Sequence, residues 1–181
     1  MSVANLITLA RLFSVPLAIW LVLSNAMTAA FWLFVAAGLS DAVDGFIAKH
    51  LDQRSQLGAL LDPLADKTLL VSLCITLGVA GLLPNWLVIL VVFRDVLIVG
   101  GYLLAMAVSQ TIRTRPLAIS KLNTALQIAL VAVVLGRLGL RVDDHYLGAV
   151  LVYAVALTTV LSGAGYLVRF ARGLAGAELG E

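Results

Sequence analysis

The sequence predicts an all-α integral membrane protein, a bundle of six transmembrane helices with both termini in the cytoplasm. Three observations predict it. Hydrophobic residues fill 62% of the 181 positions and charged residues only 12%, against roughly half and a quarter in soluble domains. Six apolar stretches each approach or exceed the ~20 residues that a helix needs to cross a bilayer. No stretch alternates apolar and polar residues with period two, so helices and not barrel strands are the spanning element.

The spans are read in order as Leu6–Leu23, Thr28–Ala48, Gly58–Leu83, Trp86–Val108, Ile119–Leu140 and Leu147–Phe170. Arg11 places the first turns of span 1 at the interface. Ser24-Asn25-Ala26 superficially suits signal cleavage, but no basic segment precedes span 1 and a second apolar run follows at once, so the span is expected to be retained. Pro84-Asn85 marks the turn between spans 3 and 4. Trp20, Trp32 and Trp86 fall toward the outer ends of their spans and read as interfacial anchors. Residues 1–172 form one six-helix transmembrane domain in this reading. The Gly-, Ala- and Glu-rich tail 173–181 is expected to be flexible.

Lysine and arginine placement sets the orientation. With the loop between spans 2 and 3 in the cytoplasm, that side carries Arg11, Lys49, Arg54, Lys67, Arg113, Arg115, Lys121, Arg169 and Arg172, whereas the opposite side carries Arg137 and Arg141. The expected location is a bacterial inner membrane or its equivalent, crossed several times. The basic residues are scattered and form no tract, which argues against a nucleic-acid partner. Cys74 is the single cysteine, so neither an internal disulfide nor a cysteine metal site can form; Leu73 and Ile75 beside it indicate a filler of the apolar interior.

Four carboxylates stand where a membrane protein should avoid them. Asp41 and Asp44 end span 2, and Asp62 and Asp66 open span 3. Charges at such depth mark function. The spacings i,i+3 and i,i+4 put each pair on one helix face. Two helices joined by a short loop can pack antiparallel and bring four like charges into one volume. Lys49, Arg54 and Lys67 are too few and too peripheral to neutralise them, and a hard divalent cation with oxygen ligands would. Gly38, Ala42, Gly45, Ala48, Gly58, Ala59 and Ala65 surround the acids and are expected to permit close helix approach and room for a ligand.

The run Asp41-Ala-Val-Asp44-Gly45-Phe-Ile-Ala48-Lys49, eight further residues, Gly58, Asp62 and Asp66 resembles the signature of the CDP-alcohol phosphotransferase family, D-x2-D-G-x2-A-R-x8-G-x3-D-x3-D. Seven of the eight fixed positions match, and Lys49 stands where the family usually has arginine. Lysine keeps the charge but lacks the bidentate fork. Ala4-Asn5-Leu6-Ile7-Thr8 is similar to the family's N-terminal Pro-Asn-x-x-Thr segment, with Ala4 for the proline. Phe93–Ile98 and Ile119–Gln127 look most like the cardiolipin-synthase branch. The resemblance implies a six-helix membrane fold, commonly a homodimer, and two Mg²⁺ or Mn²⁺ ions held by Asp41, Asp44, Asp62 and Asp66. It implies Asp66 as general base, and Asn5, Thr8, Gly45, Ala48, Lys49 and Gly58 around the CDP-lipid.

The expected reaction is transfer of a phosphatidyl group from CDP-diacylglycerol to an alcohol with release of CMP. Phosphatidylglycerol, giving cardiolipin, is the first choice of acceptor, and glycerol 3-phosphate, giving phosphatidylglycerophosphate, is the alternative. No serine–histidine pair or reactive cysteine suits a covalent intermediate, so direct in-line transfer is expected. Arg113, Arg115 and Lys121, between spans 4 and 5, are candidates to hold an anionic acceptor, with Arg94 of span 4 beside them; positive-inside topology explains the first three equally well. Arg94 and Asp95 are adjacent and off a common face, so each is expected to pair with another helix or to reach a cavity. Asn123 and Gln127, i,i+4 on span 5, suit interhelical hydrogen bonds. His50 and His145 read as solvated loop residues. A cation transporter with an acidic membrane site is the remaining reading. It is disfavoured because the acids sit at one end of two helices and not at the bilayer midplane.

Overall fold

In the computed structural model the backbone is described for residues 3–51, 56–107, 118–142 and 146–178, and side chains for 10–40, 67–101, 118–142 and 146–170. Every described element is a helix: α1 (Val3–Leu23), α2 (Met27–Leu51), α3 (Gln56–Val79), α4 (Asn85–Ala107), α5 (Ala118–Leu140) and α6 (Leu147–Glu178). The all-α expectation holds. α5 and the Leu147–Phe170 part of α6 are long and apolar enough to cross a membrane, and Ala10–Leu23, Met27–Ser40 and Lys67–Val79 are shorter apolar stretches.

Helix ends follow local chemistry. α1 is continuous through Pro16, whose ring nitrogen cannot donate to the carbonyl of Leu12. Past Leu23 it is closed by Asn25, which has a left-handed φ of 61°. Ala26 N–H reaches back to Leu21 O at 2.9 Å and Asn25 N–H to Val22 O at 3.0 Å, the paired bonds of a Schellman cap. The same cap closes α3. Gly81 has φ 71°, with Leu82 N–H to Leu77 O at 2.8 Å and Gly81 N–H to Gly78 O at 2.9 Å. The third helix therefore stops at Val79 and not at Leu83, where apolar content alone placed its end. α2 and α6 outrun their expected ends, to Leu51 and Glu178. Lys49 and His50 thus lie on α2, and His50 is not a loop residue.

The helices group into two compact units, Met1–Pro84 with Val131–Gly148, and Asn85–Leu130 with Ala149–Glu181. In the first unit α1 packs against both α2 and α3, and Leu73, Leu77, Val131 and Leu135 have no exposed surface. Glycines set the approach of α2 to the second half of α5. A Cβ on Gly139 would come within 2.9 Å of Met27 O and Thr28 Cα, and one on Gly136 within 3.1 Å of the Phe31 ring. Thr28 Oγ1 donates to Gly139 O at 2.6 Å across this contact. Gly38, by contrast, faces open space; its small size serves no helix contact among the described residues. In the second unit the Phe170 ring occupies the place where Gly101 would carry a Cβ.

Large apolar side chains cover the exterior: Phe13, Val79, Ile89, Tyr153 and Leu157 are each well over half exposed. Water would not tolerate such a surface on a monomer, and lipid does. Trp20, Trp32 and Trp86 are exposed, as interfacial anchors require. Cys74 is buried and outside any disulfide, in line with its reading as filler.

Candidate functional site

Asp41 and Asp44 lie on α2, and Asp62 and Asp66 on α3, each pair within an uninterrupted helix. Their Cα positions keep the i,i+3 and i,i+4 relation that gives each pair a common face. Gly45, Ala48 and Lys49 continue along α2, and Gly58 is in the first turn of α3. The side chains of all eight, and those of Asn5 and Thr8 on α1, lie outside the described set. The backbone brings their levels together. α1 and α2 are joined by the tight turn at Ser24–Ala26. At 1.5 Å per residue, Thr8 stands about 22 Å from that turn along α1, and Asp41 and Asp44 about 21 and 26 Å along α2. α1 is also a packing partner of α3. The element that carries Asn5 and Thr8 is therefore the shared neighbour of both acidic helices.

The donor set fits a divalent metal. Four carboxylates offer hard oxygen ligands, which suit Mg²⁺ or Mn²⁺. No sulfur or imidazole competes on these two helix ends except His50, and Cys74 is remote along α3.

Arg11 and Ser40 bring a feature that the sequence reading missed. Arg11 is buried, with 4% of its surface exposed. It lines a cavity of about 360 Å³ between α1 and α2, whose far wall includes Ala36, Ala37 and Ser40. Ser40 immediately precedes Asp41.

The second unit holds a buried polar cluster. Arg94 on α4 is 3% exposed, and all three guanidinium nitrogens are engaged. Nη1 pairs with Asp95 Oδ1 at 2.5 Å, Nε and Nη2 donate to Ser162 Oγ at 3.3 and 2.9 Å, and Nη2 also donates to Ser120 Oγ. Arg94 pairs with two other helices, as expected of it, and pairs in addition with its neighbour Asp95, which helix faces did not suggest. The long arginine folds back, because a buried charge without a counter-charge costs more than the strain of a neighbour pair. Arg94 thus ties α4 to α5 and α6. Ser120 and Ser162 drew no attention in the sequence, since serine on an apolar helix carries no pattern of its own. Asn123 is buried, and its Oδ1 accepts from Thr158 and Thr159 at 2.8 and 2.9 Å, the interhelical role expected of it. Gln127 is equally buried. The Asn123 Nδ2 and Gln127 Nε2 groups make no hydrogen bond among the described residues.

Lys121 follows Ser120 in the first turns of α5 and is exposed. Arg113 and Arg115 lie outside the described residues, as does His145.

Comparison with known proteins defines the class to which this chain belongs. The family model for CDP-alcohol phosphatidyltransferases matches residues 1–161, and the chain belongs to this family. It is 38% identical over 179 residues to a cardiolipin synthase (CMP-forming)/mitochondrial hydrolase fusion protein of Schizosaccharomyces pombe, covering 91% of this chain and 30% of that one. It is 34% identical over 189 residues to the chloroplastic CDP-diacylglycerol–glycerol-3-phosphate 3-phosphatidyltransferase 1 of rice, Oryza sativa subsp. japonica, covering 94% and 57%. A probable phosphatidylglycerophosphate synthase of Mycobacterium tuberculosis is 34% identical over 184 residues, covering 97% and 84%. The chain thus spans less than two thirds of the first two relatives. Their names divide between two acceptors.

Proposed function

We propose that this protein transfers the phosphatidyl group of CDP-diacylglycerol to phosphatidylglycerol, forming cardiolipin and releasing CMP. The observation that supports the reading is the signature, seven of its eight fixed positions at unbroken spacing, on α2 and α3, the two helices that share α1 as neighbour. Asp41, Asp44, Asp62 and Asp66 would hold Mg²⁺ or Mn²⁺. When bound, the metal supplies charge neutralisation at the pyrophosphate and at the departing CMP. Asn5, Thr8, Gly45, Ala48 and Gly58 form the surface for the CDP moiety, and Lys49 holds a phosphate oxygen as a point charge. Asp66 accepts the proton of the acceptor hydroxyl while the hydroxyl's oxygen bonds to the lipid-side phosphorus and the bond from that phosphorus to CMP breaks. Arg113, Arg115 and Lys121 attract the acceptor's phosphate. Arg94, fully engaged and neutralised by Asp95, acts in this scheme by fixing Ser120 and hence the start of α5. Six spans, cytoplasmic termini, a cytoplasmic active site and a homodimer complete the reading.

Glycerol 3-phosphate is the second acceptor, favoured by the names of the rice and mycobacterial relatives. The test is CMP release by the purified protein in detergent, with CDP-diacylglycerol, Mg²⁺ or Mn²⁺ and one acceptor at a time. Release with phosphatidylglycerol and not with glycerol 3-phosphate is expected. The reverse pattern identifies the second acceptor, and no metal-dependent release with any alcohol overturns the phosphatidyltransferase reading.

A further inference from the structure

In the second unit α5 carries a polar stripe into the apolar interior. Ser120, Asn123 and Gln127 are spaced i, i+3 and i+7, which sets them on one side of the helix. α6 answers the first two. Arg94 Nη2 donates to both Ser120 and Ser162, and Thr158 and Thr159 donate to Asn123 Oδ1. The matching positions fall along α6 as they rise along α5, so the two helices run antiparallel here. Continued by one turn, this register sets Gln127 level with Val155, which is fully buried and has no polar group in its side chain.

The stripe therefore ends on two buried donors. Asn123 is 0% and Gln127 2% exposed, and Asn123 Nδ2 and Gln127 Nε2 make no hydrogen bond among the described residues. Gln127 stands about 14 Å along α5, near the middle of a hydrocarbon layer ~30 Å thick. No lipid group accepts a hydrogen bond at that depth, and an unmet amide is costly there. Side chains four apart on a helix have Cβ atoms about 6 Å apart, a span that two bonds of ~2.9 Å to one oxygen can bridge. We infer that an internal water binds between Asn123 and Gln127 and accepts from both amides. Its own hydrogens have the Thr158 and Thr159 hydroxyl oxygens as acceptors, since those hydroxyls direct their protons to Asn123 Oδ1 and to α6 carbonyls. Water fits where a larger ligand does not, because both amides are closed off from the surface, and this set of partners is what internal waters use. The site involves no residue of the proposed transfer chemistry and does not depend on it.

The test is water-edited solid-state NMR on the full chain in deuterated lipid bilayers. The four asparagines and four glutamines give eight side-chain amide signals, assigned through their backbone neighbours. Both Asn123 and Gln127 are expected to receive polarisation from water at short mixing time. Their amide protons should nevertheless exchange into D₂O about 100-fold more slowly than those of the exposed Asn25. In Gln127→Met the apolar chain takes the water's place, and transfer to Asn123 should fall about fivefold. Release of an ordered water offsets the bonds it made, so the readout is hydration and not melting temperature. Absence of transfer to one or both amides overturns the inference. Exchange as fast as that of Asn25 overturns it too, since the amides would then be open to solvent. Unchanged transfer to Asn123 in Gln127→Met also overturns it, because the polarisation would then come through the threonine hydroxyls. Gln127→Leu serves the same comparison if Gln127→Met does not fold.

Discussion

Single residues in this protein divide into those that carry charge for chemistry and those that cancel it. Asp66→Asn keeps shape and removes the proton acceptor, and CMP release should fall about 10²–10⁴-fold with normal yield of folded protein. Arg94 and Asp95 form the cancelling kind. Asp95→Leu leaves a guanidinium buried with only hydroxyl partners and should destabilise the fold by about 3–5 kcal/mol, read as a lower melting temperature in detergent. The double variant Arg94→Met/Asp95→Leu should recover much of that loss; if it is no more stable than Asp95→Leu, the pair is not the source of the cost. Gln127→Met replaces a buried amide whose Nε2 makes no hydrogen bond among the described residues with an apolar side chain of similar length, and stability should hold or rise. Asn123→Leu should lower it, because Thr159 loses its acceptor and Thr158 keeps only the Ala154 and Val155 carbonyls of its own helix. At this scale the sequence was informative wherever a residue was improbable in lipid. Four aspartates, one arginine and an amide pair all stood out. Serines 120 and 162 and the burial of Arg11 did not, because their roles depend on which helix lies opposite, and no local pattern encodes that.

Among the elements, the sequence marked helix identity well and helix ends less well. Apolar length located all six. It overran α3 because Leu82 and Leu83 are apolar although Gly81 has already turned the chain. Gly81→Ala should cost about 1–2 kcal/mol, the penalty of a left-handed conformation with a side chain, and thermal unfolding of the purified variant checks it. Of the glycines near the acids, Gly38 faces open space, and among the described residues the tight approaches lie at Gly136 and Gly139 on α5 and at Gly101 on α4. Gly139→Ala drives a methyl into the backbone of Met27 and Thr28. A loss of about 1–3 kcal/mol is expected, with Thr28→Val reproducing about 1 kcal/mol of it through the lost hydrogen bond. The candidate site was legible as two acidic helix segments, since i,i+3 and i,i+4 spacing needs only helicity. The role of α1 as their shared neighbour is a tertiary fact and came from the structure.

For the molecule as a whole, the donor set predicts metal dependence. Chelation should abolish CMP release, and Mg²⁺ or Mn²⁺ should restore it while Ca²⁺, larger and looser in coordination, restores less. The charge bias of the loops predicts that a cysteine placed at Lys49 and one placed at Arg172, in a Cys74→Ala background, are both labelled by impermeant maleimide from the cytoplasmic side. Labelling of either from the opposite side would overturn the topology.

The first unit has a consequence for the order in which the protein is made. It joins residues up to Pro84 with a second piece that begins at Val131, and the start of α2 is latched by Thr28 to Gly139. A ribosome adding ~5–20 residues per second delivers α1, α2 and α3 roughly 3–10 s before that second piece exists. During this interval the face of Met27, Thr28 and Phe31 lacks the α5 glycines that cover it in the finished protein, and chains stalled before residue 131 should be degraded faster than chains stalled after residue 148.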